Sequence, residues 1–179
     1  TQAPSASSHA SSTIAVGCTS AMSGMISPVS ECTNNAAGSD GRVTESPSGI
    51  RFVDLGRIGY AAALERQLQT HARVLAGDDP PTVLLLEHDP VVTLGRRGGE
   101  WDEAALGRLD TPVIRTDRGC LATWHGPGQI VGYPIVDLRR RGLGITDFVA
   151  LLGEVMVAAA ADSGVGGVVY DADRPGCLL

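Results

Sequence analysis

The residue types able to do chemistry in this 179-residue chain crowd into two stretches. One reads "TDRGCLATWHGPGQIVGYPIVDL" (Thr116 to Leu138) and the other "LLLEHDPVVTLGRRG" (Leu84 to Gly98). In the first, Arg118, Cys120, Trp124 and His125 stand among Gly119, Gly126, Gly128 and Gly132, with Pro127 and Pro134 close behind. Bare, stiff backbone between polar side chains suits a ligand that lies directly against the main chain. Arg118 at a turn offers a planar fork for a carboxylate or amide oxygen. His125 ends an extended run before a turn stiffened by Pro127, which constrains its ring. Gly126 and Gly128 allow positive φ and close approach. The plainer alternative is a hairpin with an awkward turn.

In the second stretch, His88 closes a buried run just before Asp89-Pro90, where polar groups emerge beside clefts. Taken alone, it also fits a structural histidine bonded to a nearby carbonyl. Arg96 and Arg97, between Gly95 and Gly98, read as a solvated basic loop. A Cys–His pair can form a thioester, which draws attention to Cys120. Along one extended segment, however, Cys120 and His125 lie roughly 16 Å apart, at about 3.3 Å per residue. Their odd spacing also points them to opposite faces, so Cys120 reads as a small buried residue. Neither G-x-x-x-x-G-K-[ST] nor G-x-G-x-x-G occurs, which gives no support to a phosphate or dinucleotide loop.

These residues need elements to hold them. "IRFVDLG" reads as a strand ended by Gly56, and "YAAALERQLQTHARVLAG" as a helix stopped by Gly77. That helix puts Tyr60, Leu64, Leu68, His71 and Leu75 on one stripe. "TVLLLEH" is a continuous apolar run with the pattern of a strand buried on both faces. "VVTLG" is a second short strand, "DEAALGRL" a helical turn and "TPVIRT" another strand. "LATWHG" and "IVGYPIVDL", separated by the G-P-G turn, are predicted to pair as a hairpin. "ITDFVALLGEVMVAAAADSG" is the strongest helix. Its expected apolar face is Phe148, Leu151, Leu152, Val155, Met156 and Ala159, with Thr146 or Asp147 at its start and Gly164 at its end. "VGGVVYD" follows as a strand. Irregular alternation with successive strands indicates an α+β fold, a mixed sheet with flanking helices.

Residues 1–49 are rich in Ser, Thr, Ala and Gly and show no sustained period, so they read as a disordered tail ahead of a domain at 50–179. The net charge of -6 and pI near 5.1 argue against nucleic acid as the main partner. No apolar run approaches the roughly 18 residues a membrane helix needs. Cys18, Cys32, Cys120 and Cys177 form no C-x-x-C pair, so no zinc site is expected, and reduced thiols in a cytoplasmic protein are. A mitochondrial address is the alternative, although Arg42 is the only basic residue of the tail apart from histidine.

The two stretches and the helix after them resemble the lipoyl(octanoyl) transferases. Three blocks carry the resemblance in order and spacing: E-H-x-P-V-x-T-x-G-R, R-G-x-x-x-T-x-H-G-P-G-Q and V-G-Y-P-I-x-D-L. It runs from about Ile50 to the end of the chain. It implies an α+β fold shared with lipoate and biotin protein ligases, cut short at its C-terminal side. It implies transfer of octanoyl from octanoyl-acyl carrier protein to a lysine of lipoyl domains, those of 2-oxoacid dehydrogenases and of the glycine cleavage H protein. An enzyme cysteine carries the acyl group as a thioester and a lysine favours its thiolate. No cofactor or metal is implied, and neither nucleic acid nor membrane.

Carried over by residue, Arg118, Gly119, Cys120, Leu121, Ala122, Thr123, Trp124 and His125 match the acyl-binding strand. His88 and Tyr133 match positions near the same pocket. Apolar side chains would line an acyl tunnel with Arg118 and His125 at its mouth, and Arg139, Arg140 and Arg141 either attract an acidic carrier or form a solvated turn. Two departures stand out. Cys120 replaces a second Gly, and the family's Lys and Cys fall beyond Leu179: all 14 Lys and Arg residues here are Arg. The expectation is an N-terminal portion that holds the acyl group but forms no acyl-enzyme. The rival is a non-catalytic module that binds an acyl carrier or a lipoyl domain.

Overall fold

A computed structural model describes residues 16–17, 41–96, 102–117, 122–172 and 176–178. The elements succeed one another as β1 (Val16–Gly17), β2 (Arg42–Glu45), β3 (Arg51–Ile58), α1 (Tyr60–Ala76), β4 (Thr82–His88) and β5 (Val91–Leu94). Then come α2 (Glu103–Leu106), β6 (Val113–Arg115), β7 (Ala122–His125), β8 (Val131–Ile135), α3 (Ile145–Asp162), β9 (Val169–Asp171) and β10 (Gly176–Leu178). The architecture is α+β, as expected, with three mixed or antiparallel sheets in the orders β1-β8-β4-β3-β2, β6-β5-β7 and β10-β9.

β4 organises the first sheet. It runs parallel to β3 across the α1 crossover and antiparallel to β8. Its residues alternate between fully buried (Thr82, Leu84, Leu86, His88) and half-buried (Val83, Leu85, Glu87). Burial on both faces is therefore not what this strand has: one face is closed and the other partly open. Leu84 and Leu86 join Val53, Ala63, Val74, Val131, Tyr133 and Ile135 in one core cluster. Burying a Leu or Val side chain contributes about 1.5–3 kcal/mol relative to leaving it in water.

Three further expectations change. β3 does not stop at Gly56 but continues to Ile58 through a register shift between Asp54 and Arg57. Gly56 sits there at φ +60, a conformation glycine adopts without strain, and its N–H donates to Asp54 Oδ1 at 2.9 Å. On α1, Leu64, Leu68 and Leu75 are exposed, and the buried positions are Ala63, Gln67 and Val74. The face turned inward thus carries a small residue, an amide and a β-branched residue in place of the leucine row. The disordered reading of residues 1–49 fails at its end, because β2 pairs in register with β3, Val43 opposite Val53. β1, farther upstream in the same segment, pairs with β8.

α1 ends at Gly77, whose left-handed backbone lets its N–H reach the carbonyls of Arg73 and Val74. α3 begins after Gly144, whose N–H donates to Asp147 Oδ2 at 3.3 Å, and it ends in a Schellman turn. There Gly164 and Val165 donate to Ala161 and Ala160. Only Phe148 and Gly153 of α3 are buried; Leu151 and Val155, expected inside, are exposed. Gly153 is buried because Tyr170 of β9 lies across it: a Cβ there would meet the ring.

Candidate functional site

The expected hairpin of β7 and β8 does not form. β8 pairs with β4 and β1, whereas β7 pairs with β5 in the second sheet. The signal of two apolar runs around G-P-G was real, but each run finds a longer-range partner, and the turn carries the chain from one sheet to the other. A second crossing lies at Asp89-Pro90, between β4 of the first sheet and β5 of the second. His88 and His125 are the last residues of the strands entering these two crossings. Topology thereby brings together two histidines that stand 37 positions apart.

Both rings are inside. His88 is 0% exposed and His125 2%. Their ring centroids are 5.6 Å apart at an interplanar angle of 66°. His88 Nδ1 lies 3.2 Å from the Ile58 carbonyl and Nε2 lies 2.8 Å from Tyr133 Oη. A carbonyl only accepts, so Nδ1 carries the proton and Nε2 accepts from the tyrosine. The carbonyl that fixes this tautomer is reached because the Gly56 bulge lets β3 extend to pair Ile58 with His88. Tyr60, the first residue of α1, tilts against His88 with centroids 5.3 Å apart. Burial pushes the His88 pKa below the usual histidine value and His125 adds to this, against the opposing pull of the Ile58 carbonyl and Asp89.

His125 Nδ1 lies 2.7 Å from Gln129 Oε1, and Nε2 lies 3.5 Å from Thr93 Oγ1. The Thr93 hydroxyl is 0% exposed and donates to the Thr123 carbonyl at 3.3 Å. The crossing itself is pinned twice: Gly128 N–H donates to Glu87 Oε2 at 3.1 Å, and Gln129 N–H to the Gly126 carbonyl at 3.1 Å. Gly128 adopts φ +86, whereas Gly126 leaves room for the Trp124 ring, which lies across it.

The residues expected in a pocket therefore separate. His88, Tyr133 and His125 meet in the interior, and Thr123 contributes its carbonyl. His125 is an interior group, not a rim group. Trp124 and Ala122 are exposed on the other face of β7. Arg118, Gly119, Cys120 and Leu121 lie outside the described residues. Arg140 is not near the histidines: its guanidinium lies against Gly77, at the far end of α1 and of β4. That end is separated from His88 by roughly 20 Å, six rises of about 3.3 Å.

Tyr60, Thr93, Gln129 and Glu87 escaped the sequence reading, although Glu87, Thr93 and Gln129 stand inside the quoted blocks. By its spacing Tyr60 reads as part of a helix stripe. Two open clefts, of about 270 Å³ beside Leu94 and Val113 and about 330 Å³ beside Arg51 and Arg73, do not include His88, Tyr133 or His125 among their walls. Among the described residues no cluster of His, Cys, Asp and Glu has the makings of a metal site. No helix there is long and apolar enough to cross a membrane.

Residues 58–176 match the family described as the lipoyl protein ligase A/B catalytic domain. A protein of Geobacter metallireducens named octanoyltransferase is 45% identical over 112 residues, 63% of this chain and 51% of its own length. Octanoyltransferases of Desulfotalea psychrophila and Pseudarthrobacter chlorophenolicus are similar at 45% and 44%, covering 64% and 60% of this chain and 53% and 47% of theirs. The chain spans about half the length of the curated relatives it matches.

Proposed function

Because this chain belongs to the lipoyl protein ligase A/B catalytic-domain family, we propose that it is the acyl-holding part of an octanoyltransferase of lipoate biosynthesis. In the reaction, an enzyme cysteine thiolate attacks the thioester of octanoyl-acyl carrier protein and releases the carrier thiol. A lysine amine of a lipoyl domain then attacks the enzyme thioester, gives up a proton, forms an amide and frees the cysteine. The lipoyl domains are those of 2-oxoacid dehydrogenases and the glycine cleavage H protein, and the setting is the cytoplasm.

The observation that carries the reading is the meeting of His88, Tyr133 and His125 at two sheet crossings, built by the blocks that carry the resemblance. A dry site whose polar groups are held by hydrogen bonds suits a thioester, whose carbonyl needs directed hydrogen bonds and whose tail needs apolar surroundings. This chain contains no lysine, so the cation that would lower a cysteine pKa is not among its residues. We expect that the chain alone forms no acyl-enzyme.

The test is retention of acyl carrier protein on the immobilised chain. Octanoylated carrier is expected to bind more tightly than the unacylated form, and His88→Leu is expected to abolish the difference. Equal retention of the two forms sinks the octanoyl reading. It favours instead a non-catalytic module that recognises the carrier surface, the second reading that the lysine-free composition supports. Intact mass after incubation with octanoyl-carrier protein checks the other expectation: a stable thioester on Cys120 or Cys177 contradicts it.

A further inference from the structure

The ladder between β4 and β8 ends where Leu86 stands opposite Val131. The chain reaches that pair from the turn after β7, while β4 runs on through Glu87 and His88. A side chain takes over where the ladder stops: Glu87 Oε2 accepts the Gly128 N–H at 3.1 Å. We propose that Glu87 is a positioning residue, a latch that holds the crossing turn on the end of β4 and so sets how His125 stands against His88.

Alternation along β4 puts Glu87 on the partly open face and His88 on the closed one. The turn straddles the strand end in the same way. Gly128 is exposed and bound to Glu87, whereas the next residue, Gln129, is 6% exposed, with its Oε1 2.7 Å from His125 Nδ1. A shift of Gly128 therefore passes along one residue to a group that touches His125. A Cβ at Gly128 would meet nothing within 4 Å, so the hydrogen bond rather than packing holds the turn at this residue. The cation opposite Glu87 on β3, Arg57, is paired with Asp89 at 2.8 Å, which leaves the Glu87 carboxylate to the turn.

For its consequence the inference rests on the octanoyltransferase reading. A thioester held beside His88 and His125, whose centroids are 5.6 Å apart, needs that spacing fixed. A misplacement of about 1 Å at a reacting group costs roughly 10²-fold.

The experiment compares Glu87 variants of the full chain by amide hydrogen exchange, by the His125 ring resonances (assigned with His125→Asn) and by retention of the two carrier forms. Glu87→Gln keeps an acceptor oxygen and is expected to match the wild type in all three. Glu87→Met, similar in length but without the acceptor, is expected to speed Gly128 exchange about three- to tenfold, the loss of one hydrogen bond. It should also shift the His125 resonances and cut the preference for octanoylated carrier about tenfold. Retention of unacylated carrier should hold, and the thermal midpoint should fall by no more than about 4 °C. Unchanged Gly128 exchange or unmoved His125 resonances in Glu87→Met overturn the proposal. So does an equal loss of both carrier forms with a lower midpoint, which is the mark of a merely structural role. If Glu87→Met does not fold, an unprotected Gly128 amide in the wild type, or fast exchange in Glu87→Gln, overturns it instead. If exchange and resonances respond as stated but the wild type does not prefer octanoylated carrier, the octanoyl reading fails and the latch stands.

Discussion

The two ends of β4 solve the same problem in opposite ways. At the Thr82 end, polar groups are charged and paired where water reaches them. Arg51 donates to Asp79 at 2.8 Å, Arg73 lies 2.7 Å from the same carboxylate, and Arg140 pairs with Asp137 at 3.3 Å beside the end of α1. At the His88 end, polar groups are sealed from water: two imidazoles, a phenol, a hydroxyl and an amide joined by hydrogen bonds. No buried side-chain nitrogen or oxygen among the described residues lacks a partner. Removing a charge from water costs several kcal/mol, whereas a neutral group that keeps its hydrogen bonds costs far less. The cluster at the His88 end excludes water, and the salt bridges at the other end tie the loop after α1 to the sheet.

Changes at the strand's middle and at each end test this contrast. Leu84→Ala empties the core shared by both and should cost about 2–5 kcal/mol in urea unfolding; a loss under about 1 kcal/mol would mean that the core does not unite the ends. Tyr133→Phe leaves His88 Nε2 without its donor and should cost about 1–3 kcal/mol, with little dependence on salt. Asp79→Asn removes one partner of two arginines. Because Arg73 is 64% exposed, the loss should be only about 1 kcal/mol and should shrink as salt is added. A Tyr133→Phe loss that shrinks with salt just as steeply would erase the distinction.

Acidification should separate the two ends. The His88 pKa is depressed in the folded chain, so below the ordinary value of 6.5 the unfolded chain binds more protons. Stability from this end is full above pH 6.5 and falls as pH drops below it. Desolvation works to raise the Asp79 pKa, but Arg51 and Arg73 outweigh it and hold the carboxyl below its ordinary 3.8. Stability from that end is kept above pH 3.8 and lost only as pH falls through the depressed value. Thermal melts of wild type and His88→Gln between pH 8 and 5 check the first window, which the variant should flatten. Smallest of all, Arg140→Gln should change stability by less than about 0.5 kcal/mol and leave carrier retention untouched, since it lies at the far end from the site. Weakened retention would restore the arginine run to the docking role that its charge implies.

Local signals were legible where a single residue suffices. Gly77 and Gly164 stop their helices, the run before His88 forms a strand, and Pro127 with Gly128 forms a turn. The blocks around His88 and His125 single out the two histidines without revealing which atoms face one another. The stripe Leu64, Leu68 and Leu75 misled, since helical periodicity reveals a face but not which neighbour approaches it. The hairpin misled for a related reason: the G-P-G turn specifies a reversal of direction, but strand partners are chosen by distant runs.

Residue order by itself determined the α+β class, most elements, the family and the two blocks that build the buried histidine cluster. Only the tertiary structure decided that the blocks meet at two crossings between sheets, that a bulge at Gly56 brings the Ile58 carbonyl to His88, and that the arginines stand at the far end. The physical reason is range. Caps, turns and periodicity act over a few residues, whereas a buried polar group must find its hydrogen-bond partner wherever the packed chain supplies one.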